Sequence, residues 1–142
     1  YTCGTFEYFD RSEGANVLKE WNRILKSNGS LYISVPDFKS ITNVYIQNNN
    51  DLDGEGILGP IFGKWKYTDN NGTDKFIYHK TVYDFKSLSS LLSKIGFNKS
   101  HKYNWKDYKV HRNNDDHSQA YLNPKGDKNN GVLISLNIET TK

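Results

Sequence analysis

The chain has 142 residues and a formal net charge of +3, with 19 basic and 16 acidic side chains. That length suits one domain with a modest core, a 14% aromatic content argues against disorder, and lysines scattered among carboxylates leave no basic block for nucleic acid. Its one cysteine, Cys3, excludes an internal disulfide and points to a reducing, cytoplasmic setting, and no apolar run reaches membrane-spanning length.

In chain order, Tyr1 to Phe9 read as the end of a strand and the loop that leaves it. Val17, Leu18, Trp21, Ile24 and Leu25 then recur at the spacing of one helix face, with Lys19, Glu20, Asn22, Arg23 and Lys26 opposite. Asp10 and Glu13 fit a capping box, so the helix starts at about Arg11. Ser27-Asn28-Gly29 is the expected stop, with Lys26 complementing the negative end of the helix dipole. Leu31, Ile33 and Val35 alternate with Tyr32 and Ser34 as a strand that Pro36 ends, and Asp37 is delivered to the strand end. Ligands sit at such ends in open α/β sheets, which makes Asp37 a candidate site residue.

Residues 41–79 read as an insertion of about forty residues, rich in Asn and Gly, with a short helix near Ser40 to Ile46; its length favours a functional role. Within it, Gly54-Glu55-Gly56-Ile57-Leu58-Gly59 satisfies G-x-G-x-x-G, but Asn-rich sequence precedes it and Pro60 follows. A phosphate cradle needs a buried strand before the glycines and a helix after them, so the pattern is read as a decoy. Helical spacing returns with Phe85, Leu88, Leu91, Leu92 and Ile95, with Asp84 as N-cap and Gly96 as the stop. Phe97, Lys99, His101, Tyr103 and Trp105 alternate as a strand with an aromatic face, and Val132 to Ile138 form the last strand. Between them, Asp115, Asp116 and His117 suggest a metal, yet consecutive residues converge poorly on one ion, and Asp116 capping a short turn is the preferred reading. No metal site is assigned.

The run LKEWNRILKSNGSLYISVPDF resembles the late helix and fifth strand of class I S-adenosylmethionine-dependent methyltransferases. There the turn is usually Lys-Pro-Gly-Gly, where this chain has Lys26-Ser27-Asn28-Gly29. Cys3 to Phe9 is similar to the family's segment after its fourth strand, and His79 to Phe85 with Gly96-Phe97 to its last helix and exit. Asp115 to Ala120 is similar to a stretch in an uncharacterised branch often linked to surface-sugar biosynthesis. The resemblance covers the second half of the family domain. A chain that begins at Tyr1 and holds no methionine is accordingly expected to lack the amino-terminal half.

The resemblance implies an α/β, partial Rossmann-like methyltransferase fold, one domain over residues 1–142 with a small mixed sheet and helices mainly on one face. It implies that the Val132 strand lies between the strands at Leu31 and Phe97, antiparallel to both. It implies S-adenosylmethionine as cofactor, with Cys3, Gly4 and Glu7 as candidate contacts, although these residues could equally serve only to lead into the helix. His79, with Asp37 or His117 as alternatives, would be the base for a small polar acceptor; the plainer reading of His79 is a loop or capping residue. Without a glycine-rich half this chain alone is expected neither to bind the cofactor usefully nor to transfer methyl groups. The alternative is a non-catalytic binding subunit that keeps the substrate half of the fold. The Leu31 strand edge is expected to be covered by a homodimer partner or by a strand from Tyr1 to Phe6.

Overall fold

The computed structural model describes residues 1–108 and 115–142. The chain runs through β1 (Thr2–Cys3), a 3-10 turn (Phe6–Tyr8), α1 (Arg11–Ile24), β2 (Ser30–Pro36) and α2 (Phe38–Gln47). It continues with a 3-10 turn (Gly54–Gly56), α3 (Leu58–Phe62), β3 (Trp65–Thr68), β4 (Asp74–Ile77), α4 (Phe85–Ile95) and β5 (Asn98–Lys102). After the 3-10 turns Trp105–Asp107 and His117–Gln119 come β6 (Tyr121–Leu122), β7 (Val132–Leu133) and β8 (Ser135–Thr141). The fold is mixed α/β, and no helix among the described residues is long and apolar enough to cross a membrane.

The main sheet has the order β1-β2-β8-β5, with β8 antiparallel to both β2 and β5. The place of β8 between β2 and β5 is the one expected from the resemblance. β1 pairs parallel with β2, Thr2 with Ile33 and Cys3 with Ser34, so part of the β2 edge is covered from within the chain. Leu31, Ile33 and Val35 of β2 and Leu136 and Ile138 of β8 form one face of the sheet, packed with Leu18 of α1 and Leu88 and Leu92 of α4. Helices α1 and α4 therefore share a face, and their apolar stripes close the main core with Phe6, Tyr83 and Phe97. Helix α2 joins a second, smaller core of Ile41, Val44, Ile57, Leu122 and Ile134.

The capping box of α1 forms as expected: Asp10 accepts from the Ser12 and Glu13 amides, and Glu13 accepts from the Asp10 amide. The far end differs. The helix stops at Ile24, because Leu25 turns extended and packs against the core, which leaves Lys26 outside the helix. Asn28 adopts the left-handed conformation in the turn beyond, and Lys142 donates to the carbonyls of Arg23 and Leu25. The cation at the negative end of α1 comes from the chain terminus. In α4, Asp84 caps with Ser87 and Gly96 ends the helix in the left-handed region, as read from the sequence.

Two strands depart from expectation. β5 spans only Asn98–Lys102, with Lys99 at φ 52° and a register break between Asn98 and His101; Trp105 opens a 3-10 turn. An inserted residue flips the faces of all that follows, so Phe97 enters the α1/α4 core while Tyr103 contacts Ser34 on the opposite side. The Val132 strand splits at Ile134, whose amide donates to Ala120 and whose carbonyl accepts from Asp37. β7 then pairs with β6, and β8 enters the main sheet and runs on to Thr141.

The face opposite the main core is polar yet buried. Ser34, Ser135 and Asn137 lie under the His117–Gln119 turn, where Asn137 donates to the Ser118 carbonyl and Ser135 to that of His117. Those hydrogen bonds make the polar face compatible with burial. Asp116 caps this turn through the Ser118 amide, as expected. The 41–79 insertion is more ordered than its composition suggests, holding α2, α3 and the β3–β4 hairpin.

Candidate functional site

The site lies at the carboxyl end of β2, on the polar side of the sheet. A cavity of about 650 Å³ is bounded there by Glu7 and Tyr8, by Ser34 and Pro36, by Gly63 and His79, and by the 117–122 segment. A neighbouring cavity of about 540 Å³ shares Tyr8, Trp65, Asp115 and His117 with it and is lined also by Cys3 and Gly4. The two make one cleft with the β3–β4 hairpin at its mouth.

Local hydrogen bonding fixes the two groups at its base. The Phe6–Tyr8 turn is anchored because Phe6 is fully buried, with its ring centroid 5.4 Å from Tyr83 and 5.7 Å from Trp21. That anchor carries Glu7 inward, leaving it 2% exposed. The Glu7 carbonyl accepts the amides of Lys80 and Thr81, tying the turn to the segment that bears His79. His79 is held from the other side by α3: its amide donates to the Phe62 carbonyl at 2.9 Å, and its Nδ1 lies 2.9 Å from the Pro60 carbonyl oxygen. A carbonyl only accepts, so Nδ1 carries the proton and Nε2 presents a lone pair. Tyr8 packs edge-on against the imidazole with centroids 4.7 Å apart and donates its hydroxyl to the Gly63 carbonyl.

Nε2 of His79 stands 3.7 Å from Oε1 of Glu7, and the two side chains are 8% and 2% exposed. Burial is the main influence on both, and it favours their neutral forms: the Glu7 carboxyl is pushed up to about 7, partly restrained by backbone N–H groups, and His79 is pushed down. Oε2 of Glu7 is buried with no hydrogen-bond partner. An unsatisfied buried carboxyl oxygen is costly, and it leaves an acceptor or donor position for a ligand at this point. A gap of 3.7 Å is too long for a direct hydrogen bond but leaves room for one oxygen about 2.8 Å from each atom.

The sequence-derived candidates are distributed unevenly. Glu7 and His79 come together, and His117 lines the same cavity. Asp37 does not line it: its carboxylate caps α2 through the Lys39 amide, accepts from Ser40 and meets Lys102 at 3.2 Å. Cys3 and Gly4 line the adjoining cavity. Burial pushes the Cys3 thiol up to about 11, which leaves it protonated near neutrality and a poor nucleophile. Gly4 has φ +60°, and a Cβ there would fall 2.6 Å from Nδ1 of His117, so the His117 ring already occupies the space beside this glycine. No group of three or more metal-ligating side chains occurs among the described residues.

The G-x-G-x-x-G run does not form a cradle for S-adenosylmethionine. No strand leads into it, Glu55 inside it has φ 52°, and the helix that follows, missed in the sequence, has only five residues. Glu7 and His79 are the groups whose chemistry the cleft geometry defines. The proximity of Glu7 and His79 was suggested by the resemblance alone, and Tyr8, Pro60 and Gly63, which hold the imidazole, were missed; nothing local in the sequence marks contacts between segments so far apart.

Comparison with known protein families, with curated proteins and with solved structures finds no match to this chain.

Proposed function

We propose that the chain forms the acceptor side of a methyltransferase-like domain and that Glu7 and His79 hold and deprotonate a hydroxyl of a small polar acceptor. The observation that supports this reading is the position of β8 between β2 and β5, antiparallel to both, as the resemblance to S-adenosylmethionine-dependent methyltransferases implies. The cleft opens at the carboxyl end of β2, where such folds take their ligands.

In this reading the acceptor oxygen sits between Oε1 of Glu7 and Nε2 of His79. The hydroxyl proton passes to the Nε2 lone pair, Nδ1–H stays on the Pro60 carbonyl, and Oε1 of Glu7 holds the acceptor oxygen in place. Hydrogen bonding to Pro60 and packing on Tyr8 fix the ring before the acceptor arrives, which limits the ordering needed on binding.

The test is transfer of a labelled methyl group from S-adenosylmethionine by protein made from the full coding sequence, assayed against a panel of small hydroxylated acceptors. The reading expects transfer, with His79→Ala lowering the rate about 10²–10⁴-fold, the usual contribution of a general base. Absence of transfer, or transfer indifferent to His79→Ala, would favour the non-catalytic binding role.

A further inference from the structure

Among the described residues, two lysines at the mouth of the cleft have no counter-ion. Lys64 follows Gly63 at the end of α3, with its Nζ 4.3 Å from the centroid of the Phe76 ring. Lys125 reaches across from the 123–131 loop toward Gly56, and among the described residues neither lysine makes a salt bridge or a side-chain hydrogen bond. Both line the cavity that has Glu7 and His79 at its base. A third lysine on that lining, Lys128, is already bound to Asp115 at 3.0 Å and to Gln119 at 2.7 Å, so Asp115 has its cation. The cavity lining thus carries three lysines, Lys64, Lys125 and Lys128, against two carboxylates, Glu7 and Asp115.

We infer that the acceptor is anionic: a small hydroxylated molecule whose phosphate or carboxylate is held by Lys64 and Lys125 while its hydroxyl reaches the Glu7–His79 pair. The inference rests on the proposed role of that pair for the hydroxyl end alone. Ammonium groups recognise charge without demanding one planar geometry, so phosphate and carboxylate are both compatible. Positive charge at the cleft mouth also concentrates anions there, an effect that salt weakens.

The experiment uses three probes matched in their hydroxyl groups: glycerol 3-phosphate, glycerate and glycerol, each titrated into isotopically labelled protein and followed by NMR. The expected result is saturable shifts at Lys64 and Lys125 with at least one charged probe and none with glycerol. The Lys64→Ala/Lys125→Ala double variant is expected to weaken binding about tenfold, as two partly exposed charge contacts allow. Glu7→Gln is expected to keep anion binding and to lose only the response at His79, which separates failure of the anion site from failure of the proton-transfer reading. Glycerol binding as well as the charged probes, no saturable binding by either charged probe, or equal binding by wild type and the double lysine variant would overturn the inference. Whichever of phosphate or carboxylate binds more tightly identifies the anionic group.

Discussion

The imidazole of His79 lies directly over the α-carbon of Gly63, so close that a methyl group at position 63 would overlap Nε2. Gly63 also ends α3 in the left-handed conformation, at φ +51°. The glycine thus serves two needs at once, the helix stop and the seat for the ring. Gly63→Ala is expected to cost about 1–2 kcal/mol from backbone strain alone and, in addition, to drive His79 out of its seat. Chemical denaturation would report the first effect. The second should appear as a His79 titration midpoint restored toward the ordinary histidine range, because a displaced ring regains solvent. A variant whose His79 signals match the wild type would show that the ring is not seated on Gly63.

Glu7 makes stability depend on pH in an unusual sense for a carboxyl group. Its folded value is raised from 4.5 to about 7, so between those values the folded state holds the proton more firmly than the unfolded chain does. The linked contribution is therefore fully present below about pH 4.5, is lost as pH rises to about 7, and amounts to roughly 3 kcal/mol. His79 works in the opposite sense, losing stability as pH falls below 6.5, because burial lowers its folded value. The difference between wild type and Glu7→Gln isolates the carboxyl. Glu7→Gln is expected to gain on wild type as pH rises from 5 to 8, measured by urea unfolding at each pH; a gap that stays constant would mean that Glu7 titrates normally.

The local devices of the fold were legible in the sequence because they depend on residues three or four apart. Asp10 with Glu13, and Asp84 with Gly96, set helix ends through contacts that short-range spacing encodes. The position of β8 between β2 and β5 followed from the family resemblance, since periodicity carries no information on strand order. What escaped were contacts made by distant segments and bends without a marker residue. Lysine is an unexpected residue for a left-handed bulge, yet Lys99 takes that conformation and separates Phe97 from Tyr103. The turn of Leu25 into the core ends α1 before the Asn-Gly signal, and Lys142 replaces Lys26 at the helix end. At the site, Glu7 and His79 were each singled out, but for separate tasks. Only the fold reveals that the buried Phe6 and the last turn of α3 bring them to 3.7 Å.

The central claim is that Glu7 and His79 form a buried pair whose neutral forms are favoured near neutrality, and the carboxyl carbon of Glu7 reports on it directly. A ¹³C NMR titration that follows this carbon, assigned by comparison with Glu7→Gln, is expected to give a midpoint of about 7. A midpoint near the ordinary 4.5 would mean that water reaches the carboxylate, and the pair described here would not exist in solution.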